Sequence, residues 1–152
     1  MPSALWTLKF LALGWAVSAA ACLHTTPTGF TGDLTAKGVV QSLRQQGVTV
    51  SIRGTEPRDS FPFFPVPATR LVVNGDDVHV FEFETQALAD SAASTVAAAG
   101  TPIGTTQVTW LAPPRFYHGH RFIVLYLADT PEVVRALGAV FDKPFAGRIE
   151  DR

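Results

Sequence analysis

Residues 70–84 read RLVVNGDDVHVFEFE, and this stretch decides the fold. Asn74 and Gly75 stand between two runs rich in β-branched and aromatic side chains. Both accept a positive φ, which the tight turn of a β-hairpin requires, so the spacing predicts strands over 70–73 and 78–84. In the second strand His79, Phe81 and Phe83 point one way, and Val78, Val80, Glu82 and Glu84 the other.

Working outward, Thr85 suits an N-cap for a helix running to about residue 99, with Leu88, Ala92, Val96 and Ala99 on one side. Gly100 and Pro102 stop it, and its alanine-rich face lets it lie close to a sheet. Two further strands are predicted over 107–112 and 122–128. The second, FIVLYLA, is apolar on both faces and belongs in the middle of a sheet. Thr130-Pro131-Glu132 is a cap followed by proline at the first helical position. The stripe of this last helix is Val133, Val134, Leu137, Val140 and Phe141.

Upstream of the hairpin, Asp33 fits an N-cap, Ala36, Val39, Val40 and Leu43 follow at helical spacing, and Gly47 fits the residue after the helix. Residues 48–53 (VTVSIR) alternate as a strand, and 54–68 form a Pro-rich connection containing FPFFPVP. The order α-β-ββ-α-ββ-α predicts an α+β fold, with a largely antiparallel sheet of about five strands and three helices on one face. Residues 33–152 form its single domain. Within it, 70–99 and 107–141 are two strand–strand–helix units.

Composition narrows the function. The chain has 152 residues, 47% hydrophobic and 16% charged, with Lys+Arg 12 against Asp+Glu 13. This balance excludes a disordered charged tail and argues against nucleic acid as a partner, since phosphate neutralisation needs surplus base. One cysteine excludes a disulfide framework and a Cys-rich zinc site.

That cysteine, Cys22, follows an uncharged apolar run over 10–21 (FLALGWAVSAAA) with Lys9 before it. About a dozen residues are too few to span a bilayer, which needs roughly 20, but they suit the apolar region of a signal peptide. Ala19-Ala20-Ala21-Cys22 resembles the lipobox of bacterial lipoprotein precursors. The resemblance implies a signal peptide over 1–21, a lipidated Cys22 and a membrane anchor outside the cytoplasm, in the bacterial cell envelope. Alanine stands where such boxes usually begin with leucine, so an Ala-x-Ala site for ordinary export is the alternative. Residues 23–32 (LHTTPTGFTG) have no apolar period and are predicted to be a flexible tether. From Asp33 onward the chain also resembles a type of small uncharacterised bacterial lipoprotein, in residues 71–84, 103–110, 113–117 and 122–129. This second resemblance implies no activity.

Candidate chemistry is sparse. His118 and His120, two residues apart, could hold zinc or copper together with a carboxylate such as Glu82, in a small metal-binding protein or enzyme. The preferred reading is plainer: with Gly119 between Tyr117 and Arg121, the triplet forms the hairpin bend between two strands. Ser60, Ser91 and Ser94 lie in no nucleophile motif, no glycine loop suits a phosphate, and no cofactor is implied. Glu82 and Glu84 share a strand face and read as its solvent side. The remaining feature is apolar: Phe61, Phe63 and Phe64 among three prolines, and Phe116 and Tyr117 after Pro113-Pro114. Exposed, these loops would present a surface to an envelope protein or a small apolar ligand; folded under the sheet, they would fill its core. The leading expectation is a non-catalytic, membrane-anchored envelope lipoprotein with a binding surface, and a spacer without a ligand is the plainest alternative.

Overall fold

The structure is a computed structural model, and it describes Asp33 and residues 35–148. Cys22, the signal segment and most of the tether lie outside the described residues. The fold is α+β, built on one open antiparallel sheet of six strands. Its elements are α1 (Ala36–Gln45), β1 (Val50–Glu56), a 3-10 turn (Arg58–Ser60), β2 (Ala68–Val73), β3 (Asp76–Glu82), α2 (Gln86–Ser94), β4 (Arg115–Gly119), β5 (Phe122–Tyr126), α3 (Pro131–Phe141) and β6 (Ala146–Gly147). Across the sheet the strands run β1-β2-β3-β5-β4-β6. Among the described residues no helix is long and apolar enough to cross a membrane.

The hairpin at Asn74-Gly75 forms as its residues require. Val73 pairs with Asp76 across the two-residue turn, with φ of 49° at Asn74 and 96° at Gly75. Asn74 also accepts at its side-chain oxygen from the Thr49 backbone N–H at 2.8 Å, which pins the turn to the start of β1. β5 sits between β3 and β4 and is buried along its whole length, as an apolar run on both faces demands.

Alternation divides the core in two. Val78 and Val80 of β3, Val124 and Tyr126 of β5 and Tyr117 of β4 face α1 and α3, together with Val39, Leu43, Val133 and Leu137. Phe81, Phe83, Ile123, Leu125 and Phe116 face the other way, toward Ala89 of α2 and Phe64 of the Pro-rich connection. The expectation of three helices on one face is thereby corrected: α1 and α3 cover one face and α2 the other. Both sides of β3 and β5 are apolar and each needs cover. A two-fold axis normal to the sheet, which relates antiparallel neighbours, would keep α2 and α3 on one face. The two strand–strand–helix units therefore share an order without sharing a symmetry.

Several boundaries move, each for a local reason. Thr35, not Asp33, caps α1, its hydroxyl accepting from the Gly38 N–H at 3.3 Å. α2 ends at Ser94, short of residue 99, where the Thr95 hydroxyl donates back to the Ala92 carbonyl at 2.7 Å. In α2 it is Ala89 that is buried, while Leu88 is half exposed. The strand expected over 107–112 is absent, and its place beside β5 goes to residues 115–119. The hairpin turn explains the exchange: Gly119 pairs with Phe122 across two residues, so only the five residues before it fall into register. Residues 107–112 are held instead by Thr101 and Gly100, whose hydroxyl and carbonyl accept from the Val108 N–H and the Trp110 indole. The sixth strand, β6, adds two residues beside β4.

Candidate functional site

The histidine pair is separated by the turn that contains it. His120 occupies the β4–β5 bend with φ of 53°. His118 points to the α2 face, with Nε2 3.0 Å from Asp90 Oδ1 and its ring 6.2 Å from Phe145. Glu82, the carboxylate expected to complete a metal site, stands on the opposite face, where it accepts from the first N–H of α1, that of Ala36, at 3.1 Å. It also pairs with Arg121. A carboxylate at a helix N-terminus satisfies an orphan donor and complements the helix dipole, so Glu82 is a cap and not the solvent-facing acid expected. No group of three His, Cys, Asp or Glu side chains converges to hold a metal among the described residues. The Ser94 hydroxyl donates to Ser91's carbonyl inside α2 at 2.7 Å.

Three polar clusters organise the rest. Tyr126 donates to Asp76 at 2.7 Å and accepts from the Thr130 N–H at 3.1 Å, joining the β2–β3 hairpin to the start of α3. Burial pushes this phenol above its ordinary pKa. Arg115, only 1% exposed, donates to Asp129 and to the Arg148 carbonyl, and Arg148 pairs with the other oxygen of Asp129 at 2.7 Å. The hydrogen bond from Arg115 holds the Asp129 carboxyl below the usual carboxylate range. On β2 and β3, Arg70 makes a two-pronged contact with Asp77 at 2.8 and 2.7 Å, which likewise lowers the Asp77 carboxyl. Each cluster ties one element to another, and in the first the Thr130 hydroxyl also donates to Asp76, at 2.5 Å.

The aromatic residues make a more extended feature. Phe64 and Phe116 are buried in the core against α2, and Tyr117 is buried on the opposite face, so for these three the core-filling reading holds and they drop out of the candidate surface. Phe61 and Phe63 stay half-buried. They open a line of ring contacts: His79–Phe61 at 4.7 Å, Phe61–Phe63 at 5.9 Å, Phe63–Trp110 at 5.9 Å, Trp110–Phe116 at 5.8 Å and Phe116–Phe145 at 6.1 Å. The three central contacts are edge-to-face, a favourable arrangement at such separations, and the two end ones are tilted. Its outer members Phe61, Phe63, Trp110 and Phe145 are all half-buried, and beside them Leu111 is wholly exposed.

The loop facing the Phe-Pro segment is thus 107–114, not the segment around Phe116 and Tyr117. Sequence reasoning missed Trp110 as a surface residue because it placed that residue in a strand. The signal was present in Pro113-Pro114, which remove two backbone donors from any ladder there. No family model matches the chain, and no curated protein or solved structure matches it either.

Proposed function

We propose that the protein is a non-catalytic lipoprotein of the bacterial cell envelope, anchored through Cys22 and presenting one face of its α+β domain to a protein or ligand. The observation that carries the binding part is the half-exposed line Phe61–Phe63–Trp110, contributed by two separate loops and crowned by Leu111. A domain that only filled space could bury these rings as it buries Phe64 and Phe116. Leaving them at the surface has a solubility cost that a binding role would offset. The anchor rests on the Ala19-Ala20-Ala21-Cys22 sequence alone.

Two measurements test the reading. Intact-mass analysis of the protein from its host is expected to give a chain beginning at Cys22 with its acyl chains attached. A photo-crosslinker at position 111 is expected to capture a component of the envelope, whereas one on the exposed β1 residue Thr55 is not. Equal capture at both positions would remove the binding surface and leave a spacer. Zinc- or copper-induced stabilisation lost in the His118→Ala/His120→Ala variant would favour the metal-handling reading instead.

A further inference from the structure

We infer that the surface formed by residues 60–67 and 107–114 rests on the bilayer itself, with Trp110 and Leu111 at the boundary between headgroups and acyl chains. This inference rests on the anchored reading above and names the partner of its binding face.

The first ground is charge. Residues 60–69 and 91–114 contain no charged side chain and no histidine, although 16% of the chain is charged. The next charge after the second stretch, Arg115, is buried and turned inward to Asp129. A chain beginning at Cys22 has 11 basic residues, the 12 of the full chain less Lys9, against 13 acidic ones. The two loops themselves therefore carry nothing that an anionic leaflet repels, and an apolar contact made through them does not depend on salt. A protein partner of ordinary kind would be met by a rim of charged or hydrogen-bonding groups around the apolar centre. Within the two loops only serine, threonine and glutamine have uncommitted polar side chains; the charged groups that border the patch, Arg70 and Asp77, lie beyond Phe61 and His79 and are paired with each other.

The second ground is side-chain type. Leu111 is wholly exposed and adjoins the half-buried Trp110, Phe63 and Phe61, so it extends a contiguous apolar patch and does not stand alone. Its neighbour Trp110 is amphipathic, the residue favoured at membrane–water interfaces. Its indole N–H is already satisfied at 3.0 Å by Gly100, so contact with acyl chains leaves no donor stranded.

The third ground is reach. Residues 22–34 span at most about 45 Å when extended, against a domain width of about 35 Å for this length. The described chain starts next to Glu82, which accepts from Ala36. Across the sheet from it the next residue, Phe83, leads by ring contacts of 6.0, 5.0 and 5.9 Å through Phe64 and Phe63 to Trp110, so the tether must pass round the domain and is long enough to do so. The anchor and this face can therefore meet the same leaflet.

Trp110 is the only tryptophan after Cys22, which makes the test direct. The full-length gene is expressed in a bacterial host, and the product is extracted from membranes and weighed intact. It is then reconstituted into vesicles of phosphatidylethanolamine and phosphatidylglycerol, with or without brominated acyl chains. The expected result is a lipidated mass, loss of most Trp110 emission in brominated vesicles, protection from aqueous acrylamide, and no change as salt is raised. In Leu111→Asp, which alters a side chain exposed on all sides, quenching is expected to disappear while the circular dichroism spectrum stays the same. A lipidated protein whose Trp110 is unquenched and open to acrylamide overturns the docking and leaves the anchor standing, with the face free for a protein. Quenching that survives Leu111→Asp or collapses in salt overturns it too. An unmodified Cys22 removes the anchor, and the docking with it.

Discussion

His79 shows how one side chain's surroundings set a measurable property of the whole domain. It lies on β3, opposite Arg70 on β2 and Leu125 on β5, with Phe61 packed over its ring at 4.7 Å. Its Nδ1 is buried without a hydrogen-bond partner. Burial is the largest effect and holds the imidazole below its ordinary pKa; Arg70 adds to this, while Glu56 and Asp77 oppose it. Well above pH 6.5 the side chain is neutral folded and unfolded alike, and contributes no pH dependence. Below that value the unfolded chain takes a proton that the folded one declines, so stability falls as pH falls. Denaturant midpoints measured from pH 7.5 down to 5 should decrease, and His79→Leu should flatten the decrease. The carboxylates lowered by Arg70 and Arg115, Asp77 and Asp129, act in a different window. Their contribution is complete above about pH 4 and is lost only as pH falls through the lowered values. Arg115 makes a second case at this scale. Asp129→Asn removes the carboxylate that a buried guanidinium donates to and should cost about 2 kcal/mol in chemical denaturation. Arg148→Ala, at the exposed end of the same cluster, should cost about 0.5 kcal/mol.

The Pro-rich connection between β1 and β2 is an element in its own right, although it has little regular structure. Phe64 fills a site lined by Phe81, Phe83 and Phe63, whereas Leu111 touches the core nowhere. Phe64→Ala should therefore cost about 3–5 kcal/mol, and Leu111→Asp should stay within about 0.5 kcal/mol, both read from denaturant unfolding. If the two costs proved similar, the division of this region into a buried and a presented half would fail. The same contrast explains what could be read in advance. Asn74-Gly75, Thr85, Pro131 and the doubly apolar β5 were legible because local chemistry fixes each of them. The placement of residues 107–119 was not, because the alternation of QVTWLA suits a strand as well as RFYHG does. The length of the turn at His120-Arg121 decides between them, through a register that no local pattern carries. Glu82 was misread for a related reason: its polarity suggested solvent, and its partners Ala36 and Arg121 lie 46 and 39 residues away. Of the candidate surface, Phe61 and Phe63 were legible. Trp110 and Leu111 became visible only once that stretch was freed from the sheet.

At the scale of the molecule, the sheet is protected unevenly, and this sets where it opens first. β3 and β5 lie at the centre of the strand order and are covered on both faces. At one edge, five consecutive β1 residues from Ser51 to Thr55 are exposed, and the pairing with β2 is broken by an irregularity between Ile52 and Gly54. That edge is also guarded: Arg44, from the last turn of α1, donates to the Val50 carbonyl at 2.7 Å, and a bulge twists the strand away from further pairing. At the other edge β6 contributes only two residues. Opening free energies in a domain follow burial and ladder position, from near zero at frayed edges to the global value in the core. Amide hydrogen exchange should therefore be slowest at Val80, Val124 and Leu125, intermediate in β2 and β4, and fast in β1 beyond Ile52 and through residues 104–113. The bilayer changes one part of this order. With the anchored protein in vesicles, protection should rise at residues 108–112 and remain as it was in β1, because only the first belongs to the uncharged loops. Protection that rose equally at both places would mean a general tightening of the fold, and protection that rose at β1 alone would place the contact at that edge of the sheet and not on residues 108–112.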